Sequence, residues 1–406
     1  MLRALKLGAL AVVTLAAAAF DAVAQVPTTG PAASASAADP RFANGFPDDE
    51  RFFPIGVWLQ NPRNAMTLKA LGINTYVALW KGPVETQLAP IAEAGMYAIV
   101  EQTETALSLP SARVIRGWMM PDEPDNAQRG PTGIYGDCLM PEEIVQRYHA
   151  IRAKDATRPA FLNFGQGLAH KGWVGRGSKC GKLDHAGYYS AASKGGDIVA
   201  FDIYPATEAR QPAIYGKLEL VADGVRSLVG WAKPDRSVWN AIGTTHIHDA
   251  NKRPTPAEIR SQVWMSLISG SRGIFYFLHE WKPTFREDAV FRYPEIVSEI
   301  ARINREIATL APVLNARVPA LAVAVESGVR TTVMARQVAG VVYVMIAGLE
   351  PKETPIRIKV PGLSSAVGVA IGEDRPVLVH DGIIEDTLPV WGVRLYKIAP
   401  PPKRQS

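Results

Sequence analysis

With 406 residues, 47% of them hydrophobic and 20% charged, the chain can bury one large core and a smaller one, and its composition excludes intrinsic disorder. The formal net charge is only +5. No block of Lys and Arg is longer than Lys403–Arg404, which argues against a nucleic-acid partner.

The chain opens with Arg3 and Lys6 ahead of the apolar stretch Leu7–Phe20, followed by the small-residue pattern Ala22-Val23-Ala24. This reads as a secretory signal peptide cleaved after Ala24. The alternative, a membrane anchor, needs roughly 20 apolar residues. No later segment is long and apolar enough to span a bilayer, so the expectation is a periplasmic or secreted protein without a stable membrane span. Cys138 and Cys180 are the only cysteines. In an oxidising compartment they are expected to pair, with two free thiols as the alternative. Residues 25–45 read as a disordered linker, its Gln25–Ala38 part rich in Ala, Ser, Thr and Pro.

From residue 46 to 316, short apolar runs alternate with amphipathic segments. The predicted strands are Phe52–Leu59, Thr75–Trp80, Tyr97–Gln102, Val114–Met120, Ala160–Phe164, Ile198–Tyr204, Ser237–Ile242 and Gly273–His279. Their near-continuous apolar character suits parallel strands buried on both faces. Predicted helices cover Ala65–Leu71, Glu85–Ala94, Pro141–Lys154, Thr255–Ser269 and Pro294–Leu310. Thr255-Pro-Ala-Glu is a capping-box pattern, and Gly72 and Gly95 suit helix C-termini. Eight such units predict an α/β fold, a (β/α)8 TIM barrel. A doubly wound sheet would show a Gly-rich loop after its first strand, whereas Trp58-Leu59-Gln60-Asn61-Pro62 stands there. From 317 to 406, seven short strands without helices predict a small antiparallel β-sandwich. They are Val318–Val325, Thr331–Arg336, Val341–Ala347, Ile356–Val360, Val367–Ile371, Pro376–Val379 and Gly392–Ile398.

A TIM barrel carries its active site at the C-terminal ends of its strands, so polar residues there are the candidates. Glu123, between Pro121 and Pro124 after the fourth strand, is placed for acid–base chemistry, with a helix cap or solvated loop as the alternative. Asp202 and Tyr204 end the sixth strand. Asp202 either binds a sugar hydroxyl or pairs with a buried arginine. His279, Glu280 and Trp281 end the eighth, and Glu280 is the next candidate carboxylate. Trp58, Trp80, Trp239 and Trp281 could stack on the C–H face of a sugar or simply pack in the core. Glu101 ends the third strand and Glu104 follows it, as hydroxyl ligands or solvated acids. His246-x-His248 with Asp249 is a weak metal pattern in a polar loop. The expectation is therefore no metal and no cofactor.

The stretch Gly117-Trp118-Met119-Met120-Pro121-Asp122-Glu123-Pro124 resembles the fourth-strand motif of clan-A glycoside hydrolases. Arg260–Glu280 and Ile303–Asn315 look like the last helix–strand units of bacterial members, and Trp391–Tyr396 like the final strand of their C-terminal sandwich. The resemblance implies a carbohydrate substrate, Glu123 as acid/base, and Asp122 in the place of an Asn that contacts the sugar 2-hydroxyl. It also implies a nucleophilic Glu at the end of strand seven, where this chain has Gly243. Three accounts follow: Glu280 or Asp202 supplies the second carboxylate, as in an inverting reaction; the protein binds glycans without cleaving them; or strand seven is misaligned. The insertion Gly165–Gly196, with Trp173 and Cys180, is expected to wall the cleft. A Cys138–Cys180 bond would tie the loops after strands four and five together.

Overall fold

The computed structural model describes residues 39–130, 132–172 and 179–399. The predicted signal peptide, the linker up to Ala38 and Trp173 lie outside the described residues. Residues 39–45, the end of the predicted linker, are packed: Phe42 is buried and Arg41 bonds Asp235.

Eight parallel strands close into a barrel: β1 (Ile55–Trp58), β2 (Thr75–Val77), β3 (Tyr97–Glu101), β4 (Ile115–Met119), β5 (Ala160–Phe164), β6 (Ile198–Phe201), β7 (Ser237–Gly243) and β8 (Gly273–Phe277). Closure is through the β1–β8 pairing, with Ile55 opposite Ile274. Each observed strand overlaps its predicted run, because the barrel buries one face against helices and the other inside. The interior is filled by Val77, Ile99, Phe161, Ala200, Trp239, Ala241 and Phe275. Phe46, from the segment before β1, packs on Trp239 and Tyr97 near the strand starts.

The helices are α1 (Ala65–Ala70), α2 (Glu85–Glu93), α3 (Pro141–Lys154), α4 (His185–Ala192), α5 (Glu219–Trp231), α6 (Pro256–Ile268) and α7 (Pro294–Leu314). The capping box at α6 forms as the sequence implies, with Thr255 Oγ1 accepting from the Glu258 N–H and Glu258 Oε2 from the Thr255 N–H. Helices α4 and α5 are additions to the sequence reading. In α5, Val221, Ala222, Val225 and Leu228 face the core at helical spacing. Gly224 lets α5 approach β6, since a Cβ there would sit 2.5 Å from the Phe201 ring.

The C-terminal part is an antiparallel, sandwich-like domain of eight strands, in spatial order β10-β11-β16-β13-β14-β15-β12-β9. These are β9 (Ala324–Ser327), β10 (Thr331–Val338), β11 (Val341–Gly348), β12 (Thr354–Lys359), β13 (Ala366–Ala370), β14 (Arg375–His380), β15 (Ile383–Leu388) and β16 (Val393–Ile398). The sequence predicts seven. The eighth, β15, has Glu385 and Asp386 in its middle and buries only Ile384 and Leu388, so it reads as polar. The domain is anchored to the barrel by Arg336, which donates to the carbonyls of Val313, Leu314 and Ala316 at the end of α7. A disulfide joins Cys138 to Cys180 with Cα atoms 6.1 Å apart. It ties the loop after β4 to the loop after β5, as expected. Among the described residues, no helix is long and apolar enough to cross a membrane.

Candidate active site

Three non-glycine residues adopt left-handed backbone just beyond barrel strands: Leu59 after β1, Ala78 after β2 and Glu123 after β4. Each such residue costs on the order of 1–3 kcal/mol and persists only where the surroundings enforce it. At Glu123 the enforcing contacts are visible. Pro124 disfavours right-handed helical backbone at the residue before it. The Glu123 N–H donates to the Asn163 carbonyl on β5 (2.9 Å), and its carbonyl accepts from Asn126 (2.9 Å) and from Gln128 Nε2 (3.0 Å).

Asn163, buried on β5, also donates its side-chain amide to Asp122 (3.0 Å). One residue therefore holds both members of the Asp122–Glu123 pair. Gly165 makes room beside them: a Cβ there would lie 2.8 Å from Asn126 Nδ2 and 3.2 Å from Glu123 Oε1. The Gly165 N–H instead donates to Asp125, which also accepts from Tyr189 (both 2.8 Å).

Glu123 lines a cavity of about 190 Å³ with Asn126, Gln166, Asp202, Tyr204, Arg210 and His248. The carboxyls of Glu123 and Asp202 are hydrogen-bonded to one another, and Tyr204 donates to Asp202 (3.0 Å). Burial, then the charges of Glu123 and Asp122, raise the Asp202 carboxyl well above the usual carboxylate range. Like charges in contact cannot both ionise cheaply, so Asp202 holds a proton that an ordinary aspartate has lost. Solvent reaches Asp122 in the open mouth, but surrounding walls replace much of its bulk water. That loss, with the charge of Glu123, pushes it to about 7. Burial likewise lifts Asp125 to about 6.

Asp122 turns into a second cavity of about 480 Å³, lined by Trp58, Leu59, Ala78, Glu101, Met119 and Ala150 among others. The adjacent acids thus face two neighbouring hollows across the barrel mouth. Beyond β1, β2 and β8 lies an aromatic cluster. Trp80, Trp281 and Phe285 are each close to half exposed. Phe285 lies 4.7 Å from Trp281 and 6.2 Å from Trp80, centroid to centroid. Trp80 Nε1 donates to Glu287 (3.1 Å).

Of the residues singled out from sequence, Glu123, Asp202 and Tyr204 meet in one cavity, and Asp122 and Trp58 in the next. Trp80 and Trp281 form the aromatic cluster. Three others are placed elsewhere. Trp239 is fully buried inside the barrel, its Nε1 donating to Ser237 Oγ (3.1 Å). It is the third residue of β7, too deep to meet a ligand at the mouth. Glu280 pairs with Arg286 in a bridge leading away from β8, and Tyr293 donates to its carboxylate (2.5 Å). It is not among the residues that line the Glu123 cavity. His279 is buried under the aromatic cluster, its Nε2 3.1 Å from the Leu59 carbonyl, and burial lowers it to about 4, so it stays neutral.

The two histidines of the H-x-H stretch diverge. His246 Nδ1 contacts the Asp249 carbonyl (3.1 Å), whereas His248 Nδ1 lies 2.6 Å from Glu208 Oε2. Glu208 is fully buried and also accepts from Arg210 Nε and Nη2 (2.9 and 3.0 Å) and from Gln166 (3.2 Å). Burial works against its charge, but the bonds from His248 and Arg210 outweigh it and hold the carboxyl at about 2. The place of the expected strand-seven Glu is closed: a Cβ on Gly243 would meet Tyr204 Cδ1 at 2.7 Å and Ile247 Cδ1 at 2.8 Å.

The parallel eight-stranded barrel followed by an antiparallel domain agrees, as a fold, with the expected clan-A-type glycoside hydrolase architecture. No protein-family model matches the sequence, and no curated protein matches it. Among solved structures, the chain is similar to a Bacteroides fragilis protein assigned to the alpha-galactosidases, with a TM-score of 0.51, 10% identity, and 86% of this chain and 79% of that one covered. It is also similar to a GH30 endoxylanase from Clostridium papyrosolvens (TM-score 0.46, 10% identity, 86% and 96% covered). An alpha-amylase from Geobacillus thermoleovorans gives a TM-score of 0.46, 10% identity, and 87% and 99% covered.

Proposed function

We propose that the protein is an exported glycoside hydrolase in which Glu123 donates a proton to the leaving glycosidic oxygen. The observation that carries this reading is the contact between Glu123 and proton-holding Asp202 in a cavity at the C-terminal mouth of the barrel. Asp202 keeps a proton above the pH at which isolated carboxyls have lost theirs, so a proton source stands in contact with the candidate donor. Asn163 and the left-handed backbone fix Asp122 and Glu123 before substrate arrives, which favours the transition state. Asp122, Tyr204 and Trp58 contact the sugar nearest the acid, and Trp80 and Trp281 bind a more distant part of an oligo- or polysaccharide by stacking. Secretion to the periplasm or beyond is supported by the Arg3–Ala24 pattern and by the Cys138–Cys180 bond.

A second reading is a glycan-binding protein without turnover. It is favoured by the closed space at Gly243, where Tyr204 occupies the volume of the missing strand-seven side chain. Incubation with a broad panel of oligosaccharides separates the two. The hydrolase reading requires product release by the wild type and its loss in folded Glu123→Gln. Binding without products in both proteins would establish the second reading.

A further inference from the structure

If the protein is a glycosidase, it needs a second group to act at the anomeric carbon or on water. The usual place for it is closed, because Tyr204 and Ile247 fill the space beside Gly243. Asp202 is too near: catalytic carboxyl pairs stand about 5–5.5 Å apart in retaining enzymes and about 6.5–9.5 Å apart in inverting ones, whereas Asp202 is hydrogen-bonded to Glu123. Glu280 is turned to Tyr293, Glu287 to Trp80, and Glu101 lines the neighbouring cavity.

One further group in the Glu123 cavity has base chemistry. His248 lines it, and its Nδ1 lies 2.6 Å from Glu208 Oε2 in a close ionic contact. Glu208 cannot turn away, being buried and fixed by Arg210 and Gln166. A carboxylate beside Nδ1 favours the tautomer protonated there, which leaves the lone pair on Nε2 of a ring that lines the cavity. The cavity of about 190 Å³ has room for a water beside a sugar ring, since a water's share of liquid volume is about 30 Å³.

Resting on the hydrolase reading, we infer that His248, positioned by Glu208, is the general base of an inverting hydrolysis in which Glu123 is the acid. His248 Nε2 takes a proton from water as the water oxygen bonds to the anomeric carbon. The bond from that carbon to the leaving oxygen breaks, and the leaving oxygen takes the Glu123 proton. The imidazolium then releases its proton to solvent, and Glu123 regains one from solvent. His248 is thus a catalytic residue and Glu208 a positioning residue.

The test uses 4-nitrophenyl α- and β-glycosides of glucose, galactose, mannose and xylose. The first-formed anomer is followed by proton NMR for whichever glycoside the wild type cleaves. The expected results are inversion and a kcat loss of about 10²–10⁴-fold in His248→Ala. Azide, a nucleophile that needs no base, should restore turnover in that variant and yield the inverted glycosyl azide. His248→Asn keeps a donor toward Glu208 and should be equally slow, which separates loss of the base from loss of fold. Glu208→Gln should lower kcat at unchanged KM, and adding it to His248→Ala should cost nothing more. Retention of configuration, or full kcat in His248→Asn, overturns this assignment while leaving the hydrolase reading standing. No cleavage by the wild type of these glycosides or of the oligosaccharide panel overturns the hydrolase reading and this assignment with it.

Discussion

Replacing Gly243 by alanine tests the packing that closes the seventh-strand position. The added methyl would lie 2.7 Å from the Tyr204 ring and 2.8 Å from Ile247, well inside van der Waals contact. Both neighbours are hemmed in. Tyr204 packs on Phe277 at 5.3 Å and donates to Asp202, and Ile247 is buried. Overpacking of this kind typically costs about 1–3 kcal/mol. The urea midpoint of Gly243→Ala should fall accordingly with little change in the denaturant slope. Because Tyr204 carries the strain to Asp202, activity should fall as well. Gly243→Glu should be less stable still and should gain no retaining activity. A Gly243→Ala protein as stable and active as wild type, or a retaining Gly243→Glu enzyme, would refute the claim that Tyr204 owns this space.

Buried Asp125, raised from 3.8 to about 6, binds its proton more tightly in the folded chain than in the unfolded one. Its contribution to stability is therefore full below pH 4 and lost as pH rises to about 6, on the order of 3 kcal/mol at about 1.4 kcal/mol per unit. Asp122 and Asp202 act in the same direction, and Asp125→Asn should flatten the fall in melting temperature between pH 4 and 7. Cys138→Ser opens a loop closed across 42 positions and should cost about 4 kcal/mol by chain entropy, read by chemical denaturation; a loss under 1 kcal/mol would contradict the crosslink's role. Trp281→Ala removes a face of the aromatic cluster and should raise KM for longer oligosaccharides while leaving kcat unchanged, whereas an effect equal for short and long substrates would place Trp281 outside the binding path.

The barrel was legible because its strands are buried on both faces. Runs such as Ala160–Phe164 and Ser237–Ile242 match β5 and β7 almost residue for residue. Glu123 was legible because a carboxylate between two prolines directly follows such a run. What surrounds it was not. Asp125, Asn126, Asn163 and Gln166 acquire their roles only when β4 and β5 lie side by side. The His248–Glu208 contact joins residues 40 positions apart on different loops. No local pattern distinguishes His248 from His246. By sequence Trp239 could stack on a sugar or pack in the core, and its depth in the seven-residue β7 decides for the interior. Glu280 reads as a strand-end carboxylate because the turn of the chain after Phe277 into the Glu280–Arg286 bridge has no signature in sequence. The strand β15 has no apolar signature, its acids outweighing two buried apolar positions.

The proton donor itself can be tested by leaving-group dependence. For any aryl glycoside the protein cleaves, Glu123→Gln should lose about 10²–10⁴-fold in kcat/KM on a poor, alkyl-like leaving group. On the 2,4-dinitrophenyl glycoside of the same sugar, which departs without protonation, it should lose little. An equal loss on both, or none on either, would show that Glu123 does not protonate the leaving oxygen.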